Sequence, residues 1–132
     1  MNFKKLKLEG VILVESIKFE DDRGYFSETY RQDKFDIFFK NKIRFCQENK
    51  SFSLKNVLRG LHYQIPPFAQ SKLISALSGS VIDIVLDIRK NSPTFGKSLT
   101  IHLDDTNSDQ LFVPPGFAHG FLVTSESAII SY

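Results

Sequence analysis

At 132 residues and a formal net charge of +2, the chain suits one domain with a real core and leaves no room for two independent ones. Its lysines are scattered rather than clustered, which excludes the usual footprint of nucleic-acid or anionic-membrane binding, and no apolar run approaches spanning length, so a soluble, cytoplasmic protein is expected. Thirteen Phe and four Tyr with no Trp favour strands and a pocket for a flat ring.

In chain order, Met1 to Leu8 alternates lysines with single apolar residues and does not read as a leader. Gly10-Val11-Ile12-Leu13-Val14 reads as a first strand, and Phe19 to Gly24 as a polar loop with the turn signal Asp22-Arg23-Gly24. Tyr25 to Tyr30 alternates as a second strand, with Phe26 and Glu28 on one face. Asp33 to Lys42 carries Phe35, Ile37, Phe38 and Phe39 in a pattern for a short helix or turn, with Asp33 as its cap. Ile43 to Lys50 returns to alternation, and Ser51 to Asn56 has the character of a loop. The single cysteine, Cys46, is expected to be a core thiol; it can form no intrachain disulfide, which suits a reducing cytosol.

Leu58-Arg59-Gly60-Leu61-His62-Tyr63-Gln64 then reads as a central strand, with Leu58, Gly60, His62 and Gln64 on one face and Arg59, Leu61 and Tyr63 on the other. Pro66-Pro67 breaks the ladder. Strands resume at Ser71 to Leu77 and Ser80 to Arg89, joined at Ser78-Gly79. In the second of these, Val81, Asp83, Val85 and Asp87 oppose Ile82, Ile84, Leu86 and Ile88, and the aliphatic side is expected to be core. Ser98 to Leu103 is another strand, and Phe112 to Phe121 holds a proline turn followed by His119. Ser127 to Tyr132 reads as a strand cut off in mid-course, so the single domain, residues 1–132, is expected to be incomplete at its C-terminus. Short, regularly spaced strands with little helix predict an all-β antiparallel sandwich or barrel.

The chemistry centres on His62, because an imidazole can take a proton at neutral pH; the competing reading is a core histidine satisfied by backbone. Arg59, Lys72 and Arg23 tilt the balance, since cations near a histidine suit an anionic ligand or a developing oxyanion, although each taken singly reads as a solvated charge. His119 reads equally as a hydrogen-bond donor or a packed ring, and Tyr132 as a proton donor or ordinary strand packing. Gln64 and Gln70 stand where metal ligands would be wanted, and His102 reads as surface, so no metal is expected.

Five blocks together, Asp22-Arg23-Gly24-Tyr25-Phe26-Ser27-Glu28, Gln47-Glu48-Asn49-Lys50-Ser51, Leu58 to Gln64, Gln70-Ser71-Lys72-Leu73 and Pro114 to Phe121, closely resemble the dTDP-4-dehydrorhamnose 3,5-epimerases over nearly the whole chain. The resemblance implies a cupin-type β jelly roll, a homodimer, and neither metal nor other cofactor. It implies as substrate a dTDP-4-keto-6-deoxyhexose, on the route to dTDP-L-rhamnose and surface polysaccharide. By resemblance His62 removes the protons at C3 and C5, Lys72 and His119 serve the enolate oxygen, and Tyr132 returns a proton on the opposite face. Arg59 and Arg23 would hold the diphosphate, Glu28, Gln47, Glu48 and Asn49 would contact nucleotide or sugar, and Phe26 would lie near the thymine. Contacts from the Arg23 to Glu28 segment are implied to cross from a neighbouring subunit. Family members usually continue for several more strands that carry an aspartate orienting the histidine. A base without that partner is expected to be weaker, and the side chain of a terminal Tyr132 poorly held. Three rival readings stand beside this one: epimerisation at C3 or C5 alone, a non-catalytic module that binds nucleotide sugar or dimerises, and a metal-using cupin.

Overall fold

Side chains that alternate between two environments demand sheets with one face buried, and the computed structural model, which describes residues 1–132, meets that demand with twelve strands and one helix. The strands are β1 (Asn2–Lys5), β2 (Ile12–Glu15), β3 (Lys18–Asp21), β4 (Gly24–Ser27), β5 (Lys50–Leu54) and β6 (Leu58–His62). They continue as β7 (Lys72–Ser78), β8 (Ser80–Asp87), β9 (Ser98–Asp104), β10 (Gln110–Val113), β11 (Phe117–Val123) and β12 (Ser127–Ser131). A six-stranded sheet runs β1-β2-β10-β7-β12-β5 and a four-stranded sheet β6-β11-β8-β9, while β3 and β4 form a separate ribbon. Every pairing is antiparallel. Strands distant in sequence lie side by side because the chain passes back and forth between the two sheets, which makes this the expected jelly-roll sandwich of cupin type.

The core between the sheets includes Ile74, Val81, Val85, Leu111, Phe121 and Ile130. On β8 the buried side is therefore Val81, Asp83, Val85 and Asp87, and not the aliphatic side, whose Ile82, Ile84 and Leu86 are only half-buried. The expectation failed because two carboxylates with dedicated partners can occupy an interior that composition alone would hand to isoleucine. Asp87 is one of them. Its Oδ1 accepts from the backbone N–H of Arg89 at 2.9 Å and from Arg89 Nε at 3.0 Å, and its Oδ2 from Arg89 Nη2 at 2.7 Å and from the Ser92 and Thr94 hydroxyls, each at 2.6 Å. The same guanidinium lies 4.5 Å from the centre of the Phe117 ring.

The helix α1 (Gln32–Phe39) seats Phe35 against Ile12, Val14 and Phe112 on the outer side of the six-stranded sheet. Arg31 occupies its N-cap without a side-chain cap, and Asp33 is not the cap but an acid of the first turn paired with Arg31. No helix is long and apolar enough to cross a membrane.

Boundaries moved where a distant partner overrode local pattern. Residues 43–49 alternate yet form no ladder, and Cys46 within them is exposed rather than core. The supposed loop at Ser51 to Asn56 is largely β5, because β12 supplies its hydrogen-bonding partner from Ser131↔Lys50 to Ser127↔Leu54. Likewise β1 forms on Met1 to Leu8 by pairing with β2, and the polar stretch before Gly24 is the first arm of the ribbon. That ribbon is tethered by Lys18, whose ammonium donates to the carbonyls of Asp105 (3.3 Å) and Thr106 and lies 4.0 Å from the Tyr25 ring centre.

The hydrogen bonds from Arg89, ahead of those from Ser92 and Thr94, hold the Asp87 carboxyl well below the usual carboxylate range. A depressed folded value means stability that is present above the unfolded carboxylate pKa and lost as pH falls toward the folded one. Asp87→Asn should accordingly cost about 2 kcal/mol at pH 7 and progressively less below pH ~4, read by urea denaturation across that range.

Candidate active site

The two histidine blocks meet on neighbouring strands, and their pairing slips. His119 stands opposite His62, yet Phe121 stands opposite Arg59, so three steps along β6 match two along β11. One extra residue is a bulge, and it reverses the side-chain parity of the strand beyond it. Arg59 thereby joins His62 on the side turned toward the sandwich interior, whereas strict alternation had set them on opposite faces. Glycines make the crossing possible. Gly60 has φ 129°, a Cβ there would lie 2.7 Å from Gly120 Cα, and a Cβ on Gly120 would lie 2.5 Å from the Arg59 carbonyl oxygen.

Behind this pair lies a carboxylate that sequence reasoning passed over. Asp83 is fully buried on β8, and its Oδ2 and Oδ1 lie 2.8 and 3.0 Å from Nε2 of His119, itself 6% exposed. Burial pushes the Asp83 carboxyl up, opposed by the hydrogen bond and charge of His119 and by the Lys72 ammonium. Burial pushes the Lys72 ammonium down, opposed by Asp83. Lys72, Asp83 and His119 thus form one electrostatically linked group, with a half-buried lysine whose proton is loosened and a histidine whose ring is fixed. Such a group can offer positive charge and hydrogen bonds to an oxygen that becomes anionic. The available signal was the Val-Asp-Val-Asp face of β8, discounted because its other face was purely aliphatic.

Beside Lys72 opens a cavity of about 520 Å³ whose walls include Gln47, Glu48, Asn49, Gln70 and Tyr132. The backbone of Tyr132 pairs with that of Asn49, whose N–H donates to its carbonyl at 2.8 Å and whose carbonyl accepts from its N–H at 3.0 Å, while the residue is 37% exposed. Next to it, Ser131 Oγ donates to Glu48 Oε1 at 2.7 Å. Of the expected residues, then, Gln47, Glu48, Asn49, Lys72 and Tyr132 share one cavity, while His62, Arg59 and His119 stand on the facing sheet, linked to Lys72 through Asp83.

Arg23, Phe26 and Glu28 are not brought to this place. Arg23 projects from the ribbon turn and pairs with its neighbour Asp21, Phe26 is 69% exposed, and Glu28 is tied to Lys34 at 2.7 Å and Arg31 at 3.4 Å. Phe26 and Glu28 line a second cavity of about 260 Å³, which shares no residue with the first. Gln70 Nε2 donates to Gln64 Oε1 at 3.3 Å, and His102 is exposed beside Asp104. No three His, Cys, Asp or Glu side chains converge as a metal site would require.

The family model for dTDP-4-dehydrorhamnose 3,5-epimerase matches residues 5–132. The chain belongs to that epimerase family. Its relative from Shigella flexneri, a dTDP-4-dehydrorhamnose 3,5-epimerase, is 46% identical over 132 residues, covering all of this chain and 73% of the relative. Among solved structures, the epimerase of Elizabethkingia anophelis superposes with a TM-score of 0.93 at 46% identity, over 99% of this chain and 72% of that one. The Legionella pneumophila epimerase, solved in complex with dTDP-4-keto-L-rhamnose, also gives 0.93, at 39% identity over 98% of this chain and 69% of that one. Membership places the chain among isomerases of nucleotide sugars.

Asp83 carries the charge that opposes the effect of burial on Lys72. Asp83→Asn should therefore lower the Lys72 pKa further. An amine-selective acylating reagent, with modification at Lys72 followed by peptide mass spectrometry, should reach its half-maximal rate at lower pH in the variant than in the parent.

Proposed function

We propose that the chain inverts C3 and C5 of dTDP-4-dehydro-6-deoxy-D-glucose to give dTDP-4-dehydro-L-rhamnose, without metal or other cofactor. The observation that carries this reading is the bulge that sets His62 and Arg59 on one side of β6, with His62 paired beside His119 of the Lys72-Asp83-His119 group, in a chain of the epimerase family.

The chemistry follows from the ketone. A carbonyl at C4 acidifies the hydrogens on both adjacent carbons, because the electron pair left by deprotonation moves onto oxygen as an enolate. His62 serves as the base for each removal. His119, fixed through Nε2 on Asp83, and the Lys72 ammonium stabilise the enolate oxygen. Tyr132, held through its backbone on Asn49, gives its phenolic proton to the opposite face of the carbon and inverts it; water then reprotonates the phenolate and takes the proton from His62, so both are reset for the second carbon. Arg59 grips the diphosphate with its planar fork, and Gln47, Glu48 and Asn49 supply polar contacts to the sugar and nucleotide.

The ribbon completes a pocket in a partner subunit. Arg23 and Phe26 are exposed at its tip and face and do not line the cavity beside Lys72 in their own chain, and a homodimer that exchanges ribbons would deliver Arg23 to diphosphate, Phe26 to thymine and Glu28 to the nucleotide.

Turnover in heavy water should place deuterium at C3 and at C5 of the product, read by proton NMR. Label at one carbon alone would assign a single-carbon epimerase, and label at neither would remove the catalytic reading. His62→Ala should lower the exchange rate by about 10²- to 10⁴-fold, the range for a positioned general base. If ribbons are exchanged, mixing His62→Ala with Arg23→Ala subunits should give more activity than the two variants show separately. One pocket of each mixed dimer then carries both lesions and the other none.

A further inference from the structure

β5 is the outermost strand of the six-stranded sheet and β6 that of the four-stranded sheet, on the same side of the sandwich, and one side chain spans them. Arg59 Nε donates to Ser53 Oγ at 2.8 Å, and Arg59 Nη2 donates to the Phe52 carbonyl at 3.2 Å. Ser53 is 4% exposed and stands opposite the buried Ala128, so its hydroxyl points inward from β5. We propose that Ser53 is a positioning residue of this enzyme: its hydroxyl fixes the Arg59 guanidinium in the orientation that receives the substrate diphosphate. The inference rests on the anion-binding role given to Arg59 above.

The donor arithmetic favours a shared use of the group. A guanidinium carries five N–H donors in a planar fork. Two are spent on Ser53 and on the Phe52 carbonyl, and both lie at the Nε and Nη2 edge. Three remain, including both on Nη1, with no protein partner to occupy them. A free arginine would lose rotamer freedom on gripping a phosphate, whereas one already held by a neutral hydroxyl and a carbonyl has met that cost and keeps its full positive charge. A carboxylate at position 53 would hold the arginine more tightly but neutralise it; a hydroxyl holds it without competing for the charge. Ser51, two residues earlier on the same side of β5, adds an independent mark of a ligand wall, for its Oγ is buried with no protein partner.

Calorimetric titration of the full chain with dTDP tests the proposal, using the parent, Ser53→Ala, Ser53→Thr, Arg59→Ala and the double variant Ser53→Ala/Arg59→Ala. Ser53→Ala should weaken binding about tenfold, the scale of a lost hydrogen bond to a charged group. Ser53→Thr, which keeps the hydroxyl, should bind within about twofold of the parent by the same reasoning. In the Arg59→Ala background, removing the Ser53 hydroxyl should change nothing further, because its action runs through the guanidinium. Parent-like affinity in Ser53→Ala beside a weak Arg59→Ala overturns the positioning role, as does a lowered melting temperature in Ser53→Ala with affinity intact. Losses that multiply in the double variant overturn it too, since Ser53 would then act on the ligand directly. Parent-like affinity in Arg59→Ala, or no dTDP binding by the parent, refutes the functional reading itself and the inference with it.

Discussion

Asp83 is enclosed between two sheets, where a lone carboxylate would cost on the order of several kcal/mol, and it is compensated by His119 from the adjacent strand and by Lys72 from the opposite sheet. This requirement ties β8, β11 and β7 together across the sandwich: the carboxylate comes from the first, the ring from the second and the ammonium from the third. Much of the candidate chemistry is a by-product of the compensation. A ring held by a buried acid has a defined orientation, and an ammonium drawn into the interior gives up part of its hold on its proton. A polar group that would be a defect in an ordinary core is here what orders the groups around it.

The second organising element is the slip between β6 and β11. A strand with strict alternation can present a base or an arginine to one side at odd spacing, but not both. By inserting one residue at a glycine crossing, the fold turns His62 and Arg59 inward together while β6 remains an outermost strand, open to approach. The candidate site is thus built on sheet, and the ribbon that carries Arg23 and Phe26 is attached to the sandwich through Lys18 and its contacts with the β9–β10 turn.

Much of this was legible in the residues. The all-β class, the turn at Asp22-Arg23-Gly24, the break at Pro66-Pro67 and most strands from Ser71 onward follow from period-two patterning and turn chemistry, and the helix near Phe35 from its aromatic spacing. The misses share a cause. β1, β3 and β5 exist because a partner strand supplies their hydrogen bonds, and the parity of Arg59 depends on a slip in pairing, neither of which a local window contains. Asp83 went unseen for a related reason: a buried acid is recognised by its compensating partners, and these lie 36 residues away in His119 and on a separate strand in Lys72. Five motif blocks nonetheless pointed to the family, because their residue types and order can be read without knowing which strands pair.

Gly60 and Gly120 have no functional group to offer, yet their backbones pass so closely that neither tolerates a methyl without displacing the other strand. Any such displacement moves the proposed base and the proposed anion clamp at once. To a geneticist screening for lost epimerisation, two residues incapable of chemistry would score as though they were part of the reaction itself.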